Sequence, residues 1–330
     1  MKIYKIGIIG CGGIAAKMAA TLGGMKGVAR YAVASRSIDK AQQFANDWQF
    51  TKAYGSYEAL ADDPEVDLIY IATPHAMHYD NARMCILKGK PVLCEKAFTA
   101  NARQAEELLQ LAKEKGVFIT EAIWTRYMPL SLTIQELIQS GVIGTPRTLS
   151  ANLSYVIDTK ERIIRPELAG GALLDIGVYT LNFAAMAFGT EIEQTHSVCQ
   201  KTETGVDSQE SITLFYKDGK MATLQASIHV QSDRQGIIAG DKGFMVVENI
   251  NNPQSVRIVD RKYNTTAIYY APQQITGYEY QVYACIEALE KGWLESPYMP
   301  HSETLRIMHQ MDALRREWGV VYPCDCMNTY

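Results

Sequence analysis

Lys96, Asp175 and Tyr179 are the residues of this chain whose types and settings could together move a proton. Lys96 closes the run Cys94-Glu95-Lys96 directly after the apolar Val92-Leu93, which places its amine at a strand end and not on a solvated face. Asp175 and Tyr179 stand four apart in a stretch that predicts a helix over 171–187, so both project from one side of it. A phenol, with an ordinary pKa of about 10, is a poor base at neutral pH unless a cation stands beside it. Lys96 could be that cation. The trio suits acid–base work on a hydroxyl, the amine stabilising an alkoxide while a second group gives or takes the proton. Taken alone, a tyrosine in a helix is more often a core residue, and the plainer reading of Lys96 is a surface charge, against which its place after Val92-Leu93 argues.

An alcohol that loses its proton in step with a hydride needs a hydride acceptor, and the N-terminus offers a site for one. The apolar Lys5-Ile6-Gly7-Ile8-Ile9 turns into Gly10-Cys11-Gly12-Gly13-Ile14-Ala15, ahead of a predicted helix (14–22) and a second strand (28–34). In that setting G-x-G-x-x-A is a dinucleotide loop. Gly10 permits the sharp turn, Gly12 lets the backbone approach a pyrophosphate, and Ala15 lets the helix pack on the sheet. Cys11, Gly13 and Ile14 complete the loop, whose amides meet phosphate at the positive end of the helix. The second strand ends in Ser35-Arg36-Ser37, with Lys40 one turn into the next helix, where an NAD site would normally place a carboxylate for the ribose 2′-hydroxyl. A guanidinium forks onto a 2′-phosphate, so NADP(H) is the expected cofactor, with NAD(H) left open. The plainer reading of Arg36 is an exposed cation at a helix start. Lys2, Lys5 and the apolar run that follows also have the faint look of a secretory leader, but the glycines at 7, 10, 12 and 13 and the lack of a clean A-x-A site count against it.

Up to residue 122, short strands that are apolar on both faces (6–9, 28–34, 68–72, 91–94, 117–120) alternate with helical patterns (38–47, 56–60, 78–87, 102–115). Alternation of that kind predicts an α/β doubly wound parallel sheet, whose ligands lie at the carboxyl ends of the strands, near Gly10, Ser35, Thr73 and Glu95. From 123 the texture changes. Segments 146–157, 192–201, 208–217, 220–230 and 243–249 carry β-branched and aromatic residues, and Lys217-Asp218-Gly219-Lys220 marks a hairpin. Helices are expected at 171–187, 278–291 and 302–318. The expected organisation is a nucleotide domain over 1–122 and an α+β domain over 123–330 with an open-faced, mostly antiparallel sheet. Such a sheet suits a homodimer or higher homo-oligomer.

Further runs carry a family likeness: Ala72-Thr73-Pro74-His75 with His78, Cys94-Glu95-Lys96, Glu121-Ala122-Ile123-Trp124-Thr125-Arg126-Tyr127, and Gly170-Gly171-Ala172-Leu173-Leu174-Asp175-Ile176-Gly177-Val178-Tyr179. In this order, over nearly the whole chain, they resemble the glucose–fructose oxidoreductase/inositol dehydrogenase (Gfo/Idh/MocA) family. Within it they are most similar to the dimeric trans-dihydrodiol dehydrogenase and D-xylose dehydrogenase branch. The resemblance implies a Rossmann domain, NADP(H) or NAD(H), and hydride exchange with a hydroxyl or carbonyl of a sugar, polyol or cyclic diol. It implies Tyr179 as the acid/base, Lys96 as its activator and Asp175 as a ligand of a second substrate hydroxyl. Thr73, Pro74, His75, His78 and Glu95 would line the cofactor cleft, Trp124 and Arg126 would contact the cofactor, and Tyr155 would line the substrate pocket, with Arg165 a weaker candidate. A merely structural helix start at His75 and His78, and a core role for Trp124, stay open. The family usually has proline after the lysine; this chain has Ala97, so the aim of Lys96 must come from other contacts. The alternative of a non-catalytic nucleotide-binding sensor would be expected to have lost the acid/base group, yet Lys96, Asp175 and Tyr179 are all present.

A net charge of −4 gives no field to draw nucleic acid or an anionic membrane, and no run of eighteen apolar residues appears. The seven cysteines follow neither a zinc nor a disulfide spacing, and His75 and His78 lack a third ligand at recognisable spacing. No metal is expected, and reduced thiols suggest the cytoplasm.

Overall fold

The computed structural model describes residues 2–326. By their internal contacts these residues fall into two compact units, one of 2–123 with 274–309 and one of 124–273 with 310–326. The sequence reading drew one boundary at 122/123 and did not foresee the return of 274–309 to the first unit.

The first unit is built on a six-stranded parallel sheet. Its elements are β1 (Tyr4–Ile9), α1 (Gly13–Gly24), β2 (Val28–Ala34), α2 (Ile38–Trp48), β3 (Lys52–Tyr54), α3 (Tyr57–Asp62), β4 (Leu68–Ile71), α4 (His78–Leu87), β5 (Val92–Glu95), α5 (Ala102–Lys115) and β6 (Ile119–Ala122). The strand order is β3-β2-β1-β4-β5-β6, reversing direction of growth beside β1, so a switch point opens at the carboxyl ends of β1 and β4. β4, β5 and β6 are buried along their whole length, as the apolar Leu68–Ile71 and Val92-Leu93-Cys94 require, and β6 buries Thr120 and Glu121 as well. Short polar caps start the helices: Ser37 accepts from the Lys40 amide at 3.4 Å, Ser56 from Ala59 at 3.2 Å and Asn101 from Gln104 at 3.0 Å. β3 was not expected from the sequence, being three residues long and only half-buried.

The second unit carries an eight-stranded mixed sheet. α6 (Pro129–Gln139), β7 (Pro146–Ser154) and α7 (Glu161–Ile164) lead into a π-helical turn (Leu173–Gly177) and α8 (Val178–Phe188). The sheet is completed by β8 (Ile192–Lys201), β9 (Asp207–Tyr216), β10 (Met221–Ser227), β11 (Gly236–Gly240), β12 (Gly243–Glu248), β13 (Ser255–Asp260) and β14 (Thr265–Tyr270), in the order β14-β13-β12-β11-β7-β10-β9-β8. All pairs are antiparallel except β7 with β10. The β9–β10 hairpin forms at 217–220 as expected. β11, β13 and β14 are additions to the expected strands. The β13–β14 hairpin had a readable signal, since Asp260 accepts from the Lys262 and Asn264 amides at 2.8 and 2.9 Å to close its turn. α8 packs on β7 and β10, covering Leu149, Ala151, Leu153, Ala222 and Leu224, while Thr148, Ser150 and Gln225 face the other way. The window Pro166–Phe188 is long and apolar enough to cross a membrane, but 83% of it is buried inside the fold. It is also broken into 3-10, π and α pieces. α9 (Glu279–Lys291) and α10 (His301–Trp318) end the helical set, the last turns of α10 belonging to the second unit.

Asp63, just past α3, accepts from the Tyr54 hydroxyl at 2.7 Å and from Lys52 at 2.9 Å. Burial pushes its carboxyl up, but hydrogen bonds from Tyr54, Lys52 and the Glu65 amide outweigh burial and hold it below the usual carboxylate range. A carboxyl whose folded value is depressed adds stability above its unfolded pKa and loses it as pH falls. Asp63→Asn should therefore cost about 1–3 kcal/mol in urea unfolding at neutral pH, and the gap to the wild type should shrink on acidification below about pH 4.

Candidate active site

At the switch point, the loop after β1 meets two separate demands for glycine. Gly10 has φ +107°, and a Cβ there would lie 2.7 Å from the Ala72 carbonyl oxygen, so neither the conformation nor the space admits a side chain. A Cβ at Gly12 or Gly13 would meet nothing within 4 Å, and both residues are exposed. No side chain caps the N-terminus of α1. An open glycine face ahead of an uncapped helix fits a pyrophosphate, whose oxygens would accept from the loop amides. Ile14 is half-buried behind it. Cys11 lies beside Ser35 and Lys40, and burial pushes its thiol up. Ser35 accepts from the Ser37 amide at 3.4 Å. Arg36 and Lys40 are exposed, and Arg36 interacts with the Tyr57 hydroxyl, a neighbour the sequence reading did not include. These side chains fit the 2′-phosphate end of a dinucleotide.

One strand further along, His78 ties two strand ends together. Its Nδ1 lies 2.8 Å from the Ala97 carbonyl oxygen and its Nε2 2.8 Å from that of Thr73. Burial, with a smaller push from the Lys96 charge, lowers its pKa and favours the neutral ring. The ring is fully buried, so His78 has no surface to offer a cofactor. It supports the strand ends at Thr73 and Ala97. His75 is also buried, edge-on to His78 at 5.7 Å, while Thr73 and Pro74 are half-buried. Thr73 accepts from Asn81 at 3.2 Å. Glu95 is buried and accepts from the Tyr70 hydroxyl. Lys96 is half-buried and its peptide bond to Ala97 is cis. The backbone after it is pinned twice, at the Ala97 carbonyl by His78 and at the Phe98 amide, which donates to Glu121 Oε1 at 3.1 Å. These contacts stand where the sequence lacks the proline. Among the described residues no group of three His, Cys, Asp or Glu is arranged to hold a metal ion.

In the second unit the other expected residues form a hydrogen-bonded series. The buried Trp124 donates its indole N–H to the Tyr179 hydroxyl at 3.0 Å. Arg126 Nε donates to Asn182 Oδ1 at 2.6 Å, fixing the arginine to α8 one turn beyond Tyr179. Asp175 is buried and accepts from Arg162 Nη1 at 2.6 Å and Nη2 at 3.5 Å. Tyr155 is half-buried and exchanges hydrogen bonds with the Asn251 side chain, with Arg234 5.9 Å above its ring. The Asn251 carbonyl in turn accepts from the Thr125 hydroxyl at 2.8 Å. Arg165 is exposed and pairs with Glu161, away from this series. Arg162, Asn182 and Asn251 escaped the sequence reading. Only Arg162 gave a signal, as one of several charges in the 158–168 segment. The Asp175–Tyr179 relation also differs from expectation, because Asp175 sits in the π-helical turn and Tyr179 in α8, so the spacing of a regular α-helix does not apply between them.

Comparisons with known proteins agree with this architecture. Residues 4–122 match the model of an oxidoreductase family with an NAD-binding Rossmann fold, and 131–246 match the GFO/IDH/MocA C-terminal domain. The chain is 36% identical to trans-1,2-dihydrobenzene-1,2-diol dehydrogenase of Xenopus tropicalis, covering 88% of this chain and 90% of the relative. It is 33% identical to the human enzyme of the same name, over 89% and 90%. Among solved structures, a 3-ketoreductase from Actinomadura kijaniata with NADP and TDP-benzene superposes with TM-score 0.85 at 24% identity, covering 95% of this chain and 97% of that one. An aldose-aldose oxidoreductase from Caulobacter crescentus superposes with TM-score 0.86 at 21% identity, covering 96% and 97%. At those identities the likeness concerns the fold.

Gly10→Ala should weaken dinucleotide binding by at least about tenfold, because the loop must move to relieve both its φ and the clash with Ala72. Fluorescence titration with NADPH reads the loss, and an unchanged affinity would remove the loop from the cofactor site.

Proposed function

The chain belongs to the Gfo/Idh/MocA oxidoreductase family, and on that premise we propose an NADP(H)-preferring dehydrogenase of vicinal diols, sugars or polyols in which Lys96 and Tyr179 handle the proton. The observation that carries the proposal is the buried Tyr179 hydroxyl held by the Trp124 indole, with the buried carboxylate of Asp175 in the preceding turn. The bound nicotinamide nucleotide supplies or accepts the hydride. Tyr179 takes the hydroxyl proton in oxidation and returns it in reduction. The Trp124 N–H donates to the phenol oxygen and fixes its position. Asp175, kept in place by Arg162, accepts a hydrogen bond from a second hydroxyl of the substrate. That role fits the diol named for the relatives and the sugar chemistry named for the structural neighbours. Lys96 contributes its cation. Ser35, Arg36 and Lys40 recognise the 2′-phosphate, which sets NADP(H) above NAD(H).

Residues 1–122 would hold the nucleotide and 123–330 the substrate and the contact with a second copy. The uncovered sheet face supports the second copy, since Val198, Phe215 and Ile237 are exposed there among serines and threonines. Sedimentation velocity reads this. No disulfide joins the seven cysteines, all of them among the described residues, which supports a cytoplasmic setting.

Turnover is tested by following NADPH absorbance with a panel of diols, aldoses and ketoses. Tyr179→Phe and Lys96→Ala should each lower kcat by about 10²-fold or more while NADPH binding holds. Trp124→Phe, which removes the donor that holds the phenol oxygen, should lower kcat by about tenfold. Full activity in Tyr179→Phe would sink the proposed proton route. Arg36→Ala should raise KM for NADPH by about tenfold and leave KM for NADH nearly unchanged. An equal effect on both nucleotides would remove Arg36 from the 2′-phosphate.

A further inference from the structure

The π-helical turn rests on a pair of acids that the chemistry above does not use. Asp207 and Glu210 lie near the start of β9, an odd number of residues apart, which in a regular strand would send them to opposite faces. The register slips there: Gln209 faces Gln200 and Asp207 faces Lys201, leaving Ser208 as the extra residue of a bulge. The bulge brings both acids to the inner side, where each is buried. Asp207 Oδ2 accepts from the Leu173 amide, the first residue of the π-helical turn, at 2.5 Å. Their carboxyls occupy the room left by the glycines that bracket the turn. A Cβ at Gly171 would lie 2.3 Å from Asp207 Oδ1, and one at Gly177 would lie 2.1 Å from Glu210 Oε1.

The two carboxyl groups interact directly, yet as two carboxylates they have only acceptors to offer each other. Asp207 Oδ1 and both Glu210 oxygens find no donor among the described residues. The polar groups that face the pair from neighbouring elements are the Leu173 amide, Cys199 of β8, Arg315 of α10 and Tyr322. Arg315 is engaged with Asp312 and Asp325, and the Tyr322 hydroxyl donates to the Gly170 carbonyl at 2.6 Å. Two buried ionised carboxyls in this position would repel each other with nothing nearby to neutralise both.

We propose that Glu210 is a carboxylic acid whose O–H donates to Asp207, and that this acid–carboxylate pair positions the turn carrying Asp175 and, through it, Tyr179. Burial, with the charge of Asp207 added, raises the Glu210 carboxyl well above its ordinary value. Burial also raises Asp207, but the Leu173 amide and the Arg315 cation pull it back toward its ionised form, so the proton resides on Glu210. The positioning half rests on the roles given above to Asp175 and Tyr179. The protonation half is a property of the folded protein and is independent of any substrate.

The infrared difference spectrum of wild type against Glu210→Gln at neutral pH tests the pair. The carbonyl band of a protonated carboxylic acid should be present in the wild type and lost in Glu210→Gln, and Tyr179→Phe should leave it unchanged. In turnover, Glu210→Gln keeps an N–H donor toward Asp207 and should hold kcat within about threefold, whereas Glu210→Leu removes the donor and should lower kcat by about tenfold or more with NADPH affinity retained. If Glu210→Leu does not fold, the spectrum and Glu210→Gln decide. No protonated-acid band lost in Glu210→Gln, or turnover in that variant reduced more than about tenfold, overturns the proposal. Failure of the wild type to turn over any diol or sugar would count against the proposed reaction and leave the infrared result standing.

Discussion

The π-helical turn at Leu173–Gly177 is the constraint on which the arrangement of the second unit depends. Helices of this width are rare and are tolerated where surrounding groups hold them. Here the holding groups come from several directions. Asp207 takes the Leu173 amide, Arg162 takes Asp175, and the glycines at 171 and 177 let β9 side chains approach closer than any Cβ would permit. Asp175 and Tyr179 are therefore set by long-range contacts more than by the helix that contains them. In a plain α-helix the same two residues would be placed by the 3.6-residue repeat alone.

The first unit works by a different economy of parts. Its sheet is assembled from strands buried on both faces, and polar residues cluster where those strands stop. At these ends the backbone is stiffened by internal bonds that do not compete with a ligand. His78 is the clearest case, because a fully buried imidazole spans the carbonyls of Thr73 and Ala97 and so couples the ends of β4 and β5. Glu121 does the same for the Phe98 amide. Lys96 stands just before these ties, and the backbone that follows it is fixed at two successive residues.

What the sequence made legible was local. The glycine loop, the residues at strand ends, the alternation of the first 122 residues and the hairpin at 217–220 each depend on residues close together in the chain, and periodicity or turn chemistry reports them directly. What it hid was decided at a distance. A bulge at Ser208 changes which face an acid occupies, yet leaves no mark on a residue pattern. The π-helical turn reads as ordinary helix, since its apolar pattern carries on through Ile176 and Val178 into α8. The Trp124–Tyr179 bond joins residues 55 apart, and the Arg162–Asp175 pair joins a charged surface segment to a buried acid. The motif that carries His78 is legible in the sequence, while the burial of its ring is not. The strands at 255–260 and 265–270 are a different matter, for their β-branched and aromatic residues and the Asp-led turn were there to be read.

The hydrogen bond from Tyr322 to the Gly170 carbonyl spans 152 residues of chain. During vectorial synthesis that bond has no donor until residue 322 has left the ribosome, so this one tie on the segment ahead of Asp175 forms only after β7 to β14 have been made. The first unit waits as well: the Ile119 amide of its sheet donates to the Leu294 carbonyl, and the Tyr4 hydroxyl donates to Glu290. Completion of the two units is thus interleaved rather than sequential, with β1 and β6 closed off by residues made after the second sheet.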